Sequence, residues 1–136
     1  MVCKIRFARL SKLSEQQIKA FEDILSEKLF LLDGEMYAKH IGDHGYRDAD
    51  AAFSVDGFLY ARCMAVARGK STYEKILEKP SEMVKNEDFE PLLDLAGLAY
   101  FQKTGKELDH IPAFIYETFA NSKGWKNENY LAKILT

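Results

Sequence analysis

The stretch SEQQIKAFEDILSEKLFLL, which runs from Ser14 to Leu32, decides the fold class. Ser14 and Gln17 form a capping-box pattern at its start, and Gly34 supplies a stop signal after its end. Its apolar residues recur at steps of three or four positions, the spacing of one buried helical face; they are Ile18, Phe21, Leu25, Leu29 and Leu32. The stretch therefore predicts a long amphipathic helix.

A second long helix is predicted in the middle of the chain. It begins after Ser54, runs through FLYARCMAVAR and ends at Gly69, and its apolar residues cover a wide face, which indicates a central position. A shorter helix is predicted at 72–78 and a further turn at 81–84. They are separate because Pro80 cannot continue a helix.

The C-terminal half predicts two more helices. One covers 89–103, where Pro91 is tolerated in the first turn and Gly105 ends the helix. The next begins at Pro112 and ends before Gly124, in the order of proline first and glycine last that helices favour.

Three segments carry weaker patterns. In 35–50, EMYAKH is compatible with a short helix, and IGDHGYRDAD contains two glycines and predicts a loop. Over 3–7, apolar and basic residues alternate, which fits a short N-terminal strand as well as a helix. Asn127 is a candidate cap for a final helix that holds Tyr130, Leu131, Ile134 and Leu135.

These patterns predict an all-α fold, a compact bundle of about five to seven helices in a single domain over 1–136. The formal net charge of -2 argues against a general nucleic-acid binder. No stretch approaches the roughly 20 apolar residues that a membrane span needs. The opening lacks a secretory pattern and the two cysteines form no framework, so we expect a cytoplasmic protein.

A set of motif residues lies between positions 54 and 80: Ser54-Val-Asp-Gly-Phe58-Leu-Tyr60-Ala-Arg62, then Arg68-Gly69-Lys70, Tyr73-Glu74 and Leu77-Glu-Lys-Pro80. This set resembles the core motif of a bacterial family known only as domain of unknown function 4240. The chain departs from that motif at Val55, Ala61 and Cys63, where the family carries an acid, an aromatic residue and a tryptophan. The resemblance covers most of the chain and implies a small, largely helical protein without an assigned activity.

The most suggestive polar group on the second long helix consists of Asp56, Tyr60 and Arg62. Asp56 and Tyr60 are four positions apart on one helical face, so an acid, a phenol and a guanidinium could form a binding site. A structural interpretation is also open, in which Ser54 or Asp56 caps the helix and Arg62 pairs with an acid from another segment.

The predicted loop before this helix is acidic. Asp43, Tyr46, Asp48 and Asp50 lie close together in it, and acids around an aromatic ring are typical of a surface that meets a basic partner. Plain solubility explains the same charges. His40 and His44 stand at HxxxH spacing, but the glycines between and after them disfavour the helix that a metal site would need.

The sequence holds no nucleophile elbow, no phosphate-binding loop and no other catalytic motif, so we expect neither a catalytic residue nor a cofactor or metal. It predicts a non-enzymatic protein-binding module, in its concrete form an immunity-type protein that neutralises a bacterial toxin with a basic surface. The partner-binding residues are then Asp43, Tyr46, Asp48, Asp50, Asp56, Tyr60 and Arg62. The alternative is a small-molecule or metal-binding enzyme or regulator with a pocket around Asp56, Tyr60 and Arg62.

Overall fold

The computed structural model describes residues 9–47 and 53–125. Within them, the α-helices are α1 (Glu15–Leu31), α2 (Glu35–Ala38), α3 (Val55–Ala67), α4 (Lys70–Glu78) and α5 (Leu95–Thr104), and residues 9–11 add a helical turn. Short 3-10 turns lie at Pro80–Glu82, Glu90–Asp94 and Ser122–Gly124. These two ranges contain no strand, which confirms the all-α fold class. None of their helices combines the length and the apolar character that crossing a bilayer requires.

Helix α1 begins as the sequence predicts. Gln17 donates its backbone N–H to Ser14 Oγ at 3.1 Å, and Ser14 donates its own to Gln17 Oε1 at 2.9 Å, so the capping box is confirmed. The predicted stop at Gly34 is wrong. The helix ends at Leu31, and Gly34 has an extended backbone that precedes α2 instead of closing α1.

Helix α3 is the centre of the fold because it packs against α1, α4 and the turn at 90–94. Its buried residues lie all around the helix, as expected for a helix without a solvated face along most of its length; they are Phe58, Leu59, Ala61, Arg62, Cys63, Ala65, Val66 and Ala67. Ser54 caps its start by accepting the Gly57 N–H at 2.9 Å. The prediction of a central helix from 54 to 69 is therefore confirmed.

The predicted helix over 89–103 is divided in two. Glu90–Asp94 forms a 3-10 turn with Pro91 as its second residue, and α5 follows it directly. The predicted stop is confirmed, because Gly105 takes a left-handed backbone (φ +72) and closes α5 with a hydrogen bond to Phe101 O.

The predicted helix from Pro112 to Gly124 is wrong. Residues 107–125, which we term the C-terminal strap, have an irregular backbone apart from the 3-10 turn at Ser122–Gly124. Ile111 and Ile115 are 89% and 71% exposed, whereas Phe119 and Trp125 are buried, and this distribution does not follow a helical face. The segments at 3–7 and 127–135, for which a strand or helix was predicted, lie outside the described residues.

Candidate functional site

The C-terminal strap must find hydrogen-bond partners for its backbone outside regular structure, since buried unpaired backbone groups are costly. Asp33, which is 1% exposed, accepts two of these backbone bonds and a third bond from a side chain of the strap. Its Oδ1 accepts from Phe119 N at 3.1 Å and from Trp125 Nε1 at 3.0 Å, and its Oδ2 accepts from Asn121 N at 2.9 Å. Burial raises the pKa of the Asp33 carboxyl, while the charge of Arg62 and the three donors act in the opposite direction.

Arg62 holds the strap from the other side. Its side chain is 0% exposed, and its Nη1 donates to Leu29 O at 2.8 Å and to Tyr116 O at 3.0 Å. Its Nη2 donates to Thr118 Oγ1 at 3.0 Å. Burial lowers the pKa of this guanidinium. Arg62 therefore joins α1, α3 and the strap through carbonyl and hydroxyl oxygens. It forms no ion pair with another described residue, in contrast to the structural interpretation.

A third anchor fixes the beginning of the strap to α1. Asp23 Oδ1 lies 2.8 Å from His110 Nε2 and accepts the Ala113 N–H at 2.8 Å, and Ser26 Oγ accepts the Phe114 N–H at 3.2 Å. The hydrogen bond with His110 is the main reason why the pKa of Asp23 is lowered. The polar side chains of α1 thus replace the hydrogen bonds that a helix would have made.

The burial of Arg62 separates the polar group predicted on α3. Asp56 is exposed in the first turn, and Tyr60 is half-buried beside the carboxylates of Glu90 and Asp56. Desolvation and then these two charges raise the pKa of Tyr60, which keeps its hydroxyl protonated. The guanidinium of Arg62 lies inside the fold, so a pocket that contains all three side chains is not present in the described structure.

A groove beside the start of α3 collects acidic side chains. It has a volume of about 440 Å³, and we term it the acidic groove. It is lined by Ile41, Asp43, His44, Ser54, Gly57, Ala61, Asn86, Glu87 and Asp88. Of the described residues, none that lines it is a lysine or an arginine. Asp56 adds a further exposed carboxylate next to the lining residues Ser54 and Gly57.

Two hydrogen bonds hold the walls of the acidic groove together. Asn86 donates its backbone N–H to Ile41 O at 2.9 Å, and its Oδ1 accepts the Asp43 N–H at 2.9 Å. Gly42, between them, has φ +102, and a Cβ at this position would lie 2.4 Å from Asn86 Oδ1. The position therefore favours glycine both for its backbone conformation and for the close approach of Asn86.

The carboxylates of the acidic groove differ in their partners. Glu87 forms an ion pair with Arg68, so its charge is partly balanced. Asp43 and Asp88 are exposed and make no ion pair with another described residue. These two side chains are therefore carboxylates of the groove whose charge no described cation balances.

The other predicted partner-binding residues lie elsewhere. Tyr46 is buried, with its ring edge-on to Phe53 and Trp125 at 5.3 Å from each, so it is a core residue. Asp48 and Asp50 lie outside the described residues. Sequence reasoning did not single out Asn86, Glu87 and Asp88, although the run NED between two apolar segments is a turn signal that carries charge.

The two histidines at HxxxH spacing do not come together. His44 lines the acidic groove, whereas His40 lines a different cavity with Glu35, Lys79 and Pro80. No group of three or more His, Cys, Asp or Glu residues in the ranges 9–47 and 53–125 could hold a metal ion. Burial raises the pKa of the Cys63 thiol to about 12, so this side chain stays protonated in the core.

Comparison with known protein families identifies the family of this chain. A family model described as "Protein of unknown function (DUF4240)" matches residues 1–117, which include α1 to α5 and the first part of the strap. Neither the curated proteins nor the solved structures provide a match.

Proposed function

The chain belongs to the DUF4240 family, whose description assigns no activity, and we propose that it is a non-enzymatic protein-binding module. In its concrete form, it is an immunity-type protein of the bacterial cytoplasm that binds a toxin and neutralises it. The observation that carries this proposal is the acidic groove, which has exposed carboxylates and no lysine or arginine among the described residues that line it.

The composition of the acidic groove fits a basic side chain of a partner. Ile41 and Ala61 are buried apolar parts of its lining, and Asp43 and Asp88 contribute exposed carboxylates. A lysine or arginine has the complementary form, since its aliphatic stem packs on apolar surface while its charged end stays near the polar rim. Complementary charge also accelerates the encounter of the two proteins, as an inhibitor that must capture a toxin requires.

The buried polar groups support binding rather than catalysis. Asp33 and Arg62 are occupied by hydrogen bonds that fix the strap, and Cys63 is buried in α3. The enzyme alternative required Asp56, Tyr60 and Arg62 in one pocket, and the burial of Arg62 gives it no support. The exposed side chains around the groove are then available for recognition.

A capture experiment tests the proposal with the full chain as bait. We compare the wild type with the double variant Asp43→Lys/Asp88→Lys and with a control, Glu78→Lys/Glu107→Lys, which makes the same change of charge at exposed residues outside the groove. We expect the wild type and the control to recover one stoichiometric protein from the source cells, encoded next to this gene and toxic when expressed alone. The groove variant should not recover it.

Two results would contradict the proposal. One is a gene neighbourhood without a toxin, together with a bait that recovers no stoichiometric partner. The other is a partner that the groove variant and the control retain equally, since the acidic groove would then have no part in recognition.

A further inference from the structure

A second cavity lies between α1 and α4 and shares no lining residue with the acidic groove. Its volume is about 300 Å³, and we term it the apolar groove. It is lined by Phe21, Ile24, Leu25, Lys28, Val66, Gly69, Lys70, Tyr73 and Leu92. A concave, mainly apolar site with a few polar groups is the usual form of a small-molecule site, and this volume lies at the lower end of the range for such sites.

The apolar groove leaves hydrophobic surface in contact with solvent. Ile24 is 58% exposed although α1 buries its neighbour Leu25, and the ring of Phe21 is only half-buried. Leu92 and Tyr73 form buried parts of the wall. An apolar ligand of suitable size would gain the hydrophobic free energy of covering this surface.

Two of the described residues that line the apolar groove are charged, and both are cationic. Lys28 Nζ lies 4.5 Å from the centroid of the Tyr73 ring, and the Tyr73 hydroxyl donates to Lys28 O at 2.7 Å, which holds the ring under the ammonium group. Lys28 makes no ion pair with another described residue. Lys70 contacts Glu74 at 3.9 Å, but both side chains are well exposed, so this pair is weak and leaves Lys70 able to reorient.

We propose that the apolar groove binds a small amphipathic carboxylate, a medium-chain aliphatic acid or an arylalkanoic acid. Its hydrocarbon part lies against Phe21, Ile24 and Leu92, and its carboxylate faces Lys28 and Lys70. The opposite charge at the mouth selects the anion over a neutral or cationic molecule of the same shape. This site is independent of the acidic groove and extends the proposed function.

Titration of the full chain with octanoate, followed by amide chemical shifts, tests the proposal. Octan-1-ol and octylammonium serve as ligands of matched length. We expect octanoate to produce saturable shifts in α1 and α4, and octylammonium to produce none. Lys28→Gln should weaken octanoate binding by up to about fivefold, the upper end of the range of an exposed ion pair, without changing the affinity for octan-1-ol.

Two matched surface variants complete the test. Ile24→Asp places a charge in the groove and should abolish octanoate binding, whereas Leu98→Asp changes a residue of α5 that is 55% exposed and lies outside the groove. The Leu98→Asp variant should bind as the wild type does, and both should still bind the partner of the acidic groove.

Two titration results would overturn the proposal: octanoate produces no saturable shifts, or octylammonium binds as well as octanoate does. Equal loss of octanoate binding in both aspartate variants would also overturn it. The same holds if the groove binds an acidic peptide but does not bind octanoate. A dimer in sedimentation experiments that Ile24→Asp dissociates would also overturn it, because the surface would then be covered by a second copy of the chain.

Discussion

Replacing Asp33 with alanine tests how the C-terminal strap is held. The substitution removes the acceptor of three hydrogen bonds, two of them from the buried donors Phe119 N and Trp125 Nε1. A buried donor without a partner costs about 1–3 kcal/mol. The loss of a buried carboxylate offsets part of this cost, because burial already disfavours its charge. We expect the free energy of unfolding to fall by about 2–4 kcal/mol, out of the roughly 5–15 kcal/mol of a typical domain.

The chain offers a specific probe for this prediction, because Trp125 is its only tryptophan and lies at the end of the strap. Urea unfolding of Asp33→Ala should show a midpoint lower by about 1–2 M, and the native emission of Trp125 should shift to longer wavelength as the ring gains water. Asp109→Ala, which changes an exposed acid in the same strap, is the control. An Asp33→Ala variant within about 0.5 kcal/mol of the wild type, with unchanged emission, would refute the role of Asp33.

Three further predictions concern other parts of the fold. Gly42→Ala should destabilise the protein by more than about 1 kcal/mol because of the positive φ and the close approach of Asn86. Gly97→Ala, in α5 where an added Cβ would point into open space, should be neutral or stabilising in urea unfolding. Equal effects of the two substitutions would contradict this explanation. In a Cys3→Ser background, the thiol of Cys63 should react with an aromatic disulfide reagent at pH 8 only as fast as the protein unfolds, and rapid labelling of the native protein would contradict its burial. Since the pKa of Asp23 is lowered in the folded state, the contribution of Asp23 to stability is present above the ordinary value of 3.8 and is lost as the pH falls through the folded pKa. Asp23→Asn should therefore flatten the dependence of the urea midpoint on acidic pH. An unchanged pH profile would contradict this role of Asp23.

The helical part of the fold was predictable because its signals are local. The capping box at Ser14, the cap at Ser54 and the left-handed Gly105 each act within a few residues of the helix end that they define. The apolar spacing of α1 likewise follows from one segment of sequence. Such features identify a helix without knowledge of its neighbours.

The strap was not predictable from local signals, because long-range partners decide its conformation. Pro112 and Gly124 are compatible with the two ends of a helix, yet Asp23, Ser26 and Asp33 satisfy the backbone N–H groups of an irregular chain about 90 positions away in sequence. Close packing reinforces this arrangement, since a Cβ at Gly124 would lie 2.5 Å from Asp33 O.

The candidate site was predictable only in part for the same reason. Asp43 and Asp56 could be identified as exposed acids, but the groove depends on Asn86, which pairs with Ile41 and Asp43 from more than 40 positions away. The pattern around Arg62 fitted a binding site as well as a structural ion pair, because helical spacing does not reveal which face receives the strap. Its burial follows from the acceptors at Leu29, Tyr116 and Thr118.

Calorimetric titration with the captured partner tests recognition through the acidic groove most directly. We expect Asp43→Lys/Asp88→Lys to weaken binding at least tenfold, about 1.4 kcal/mol, and added salt to weaken the binding of the wild type more than that of the groove variant. The control Glu78→Lys/Glu107→Lys should retain the wild-type affinity. An equal affinity for all three proteins, independent of salt, would contradict recognition through the acidic groove.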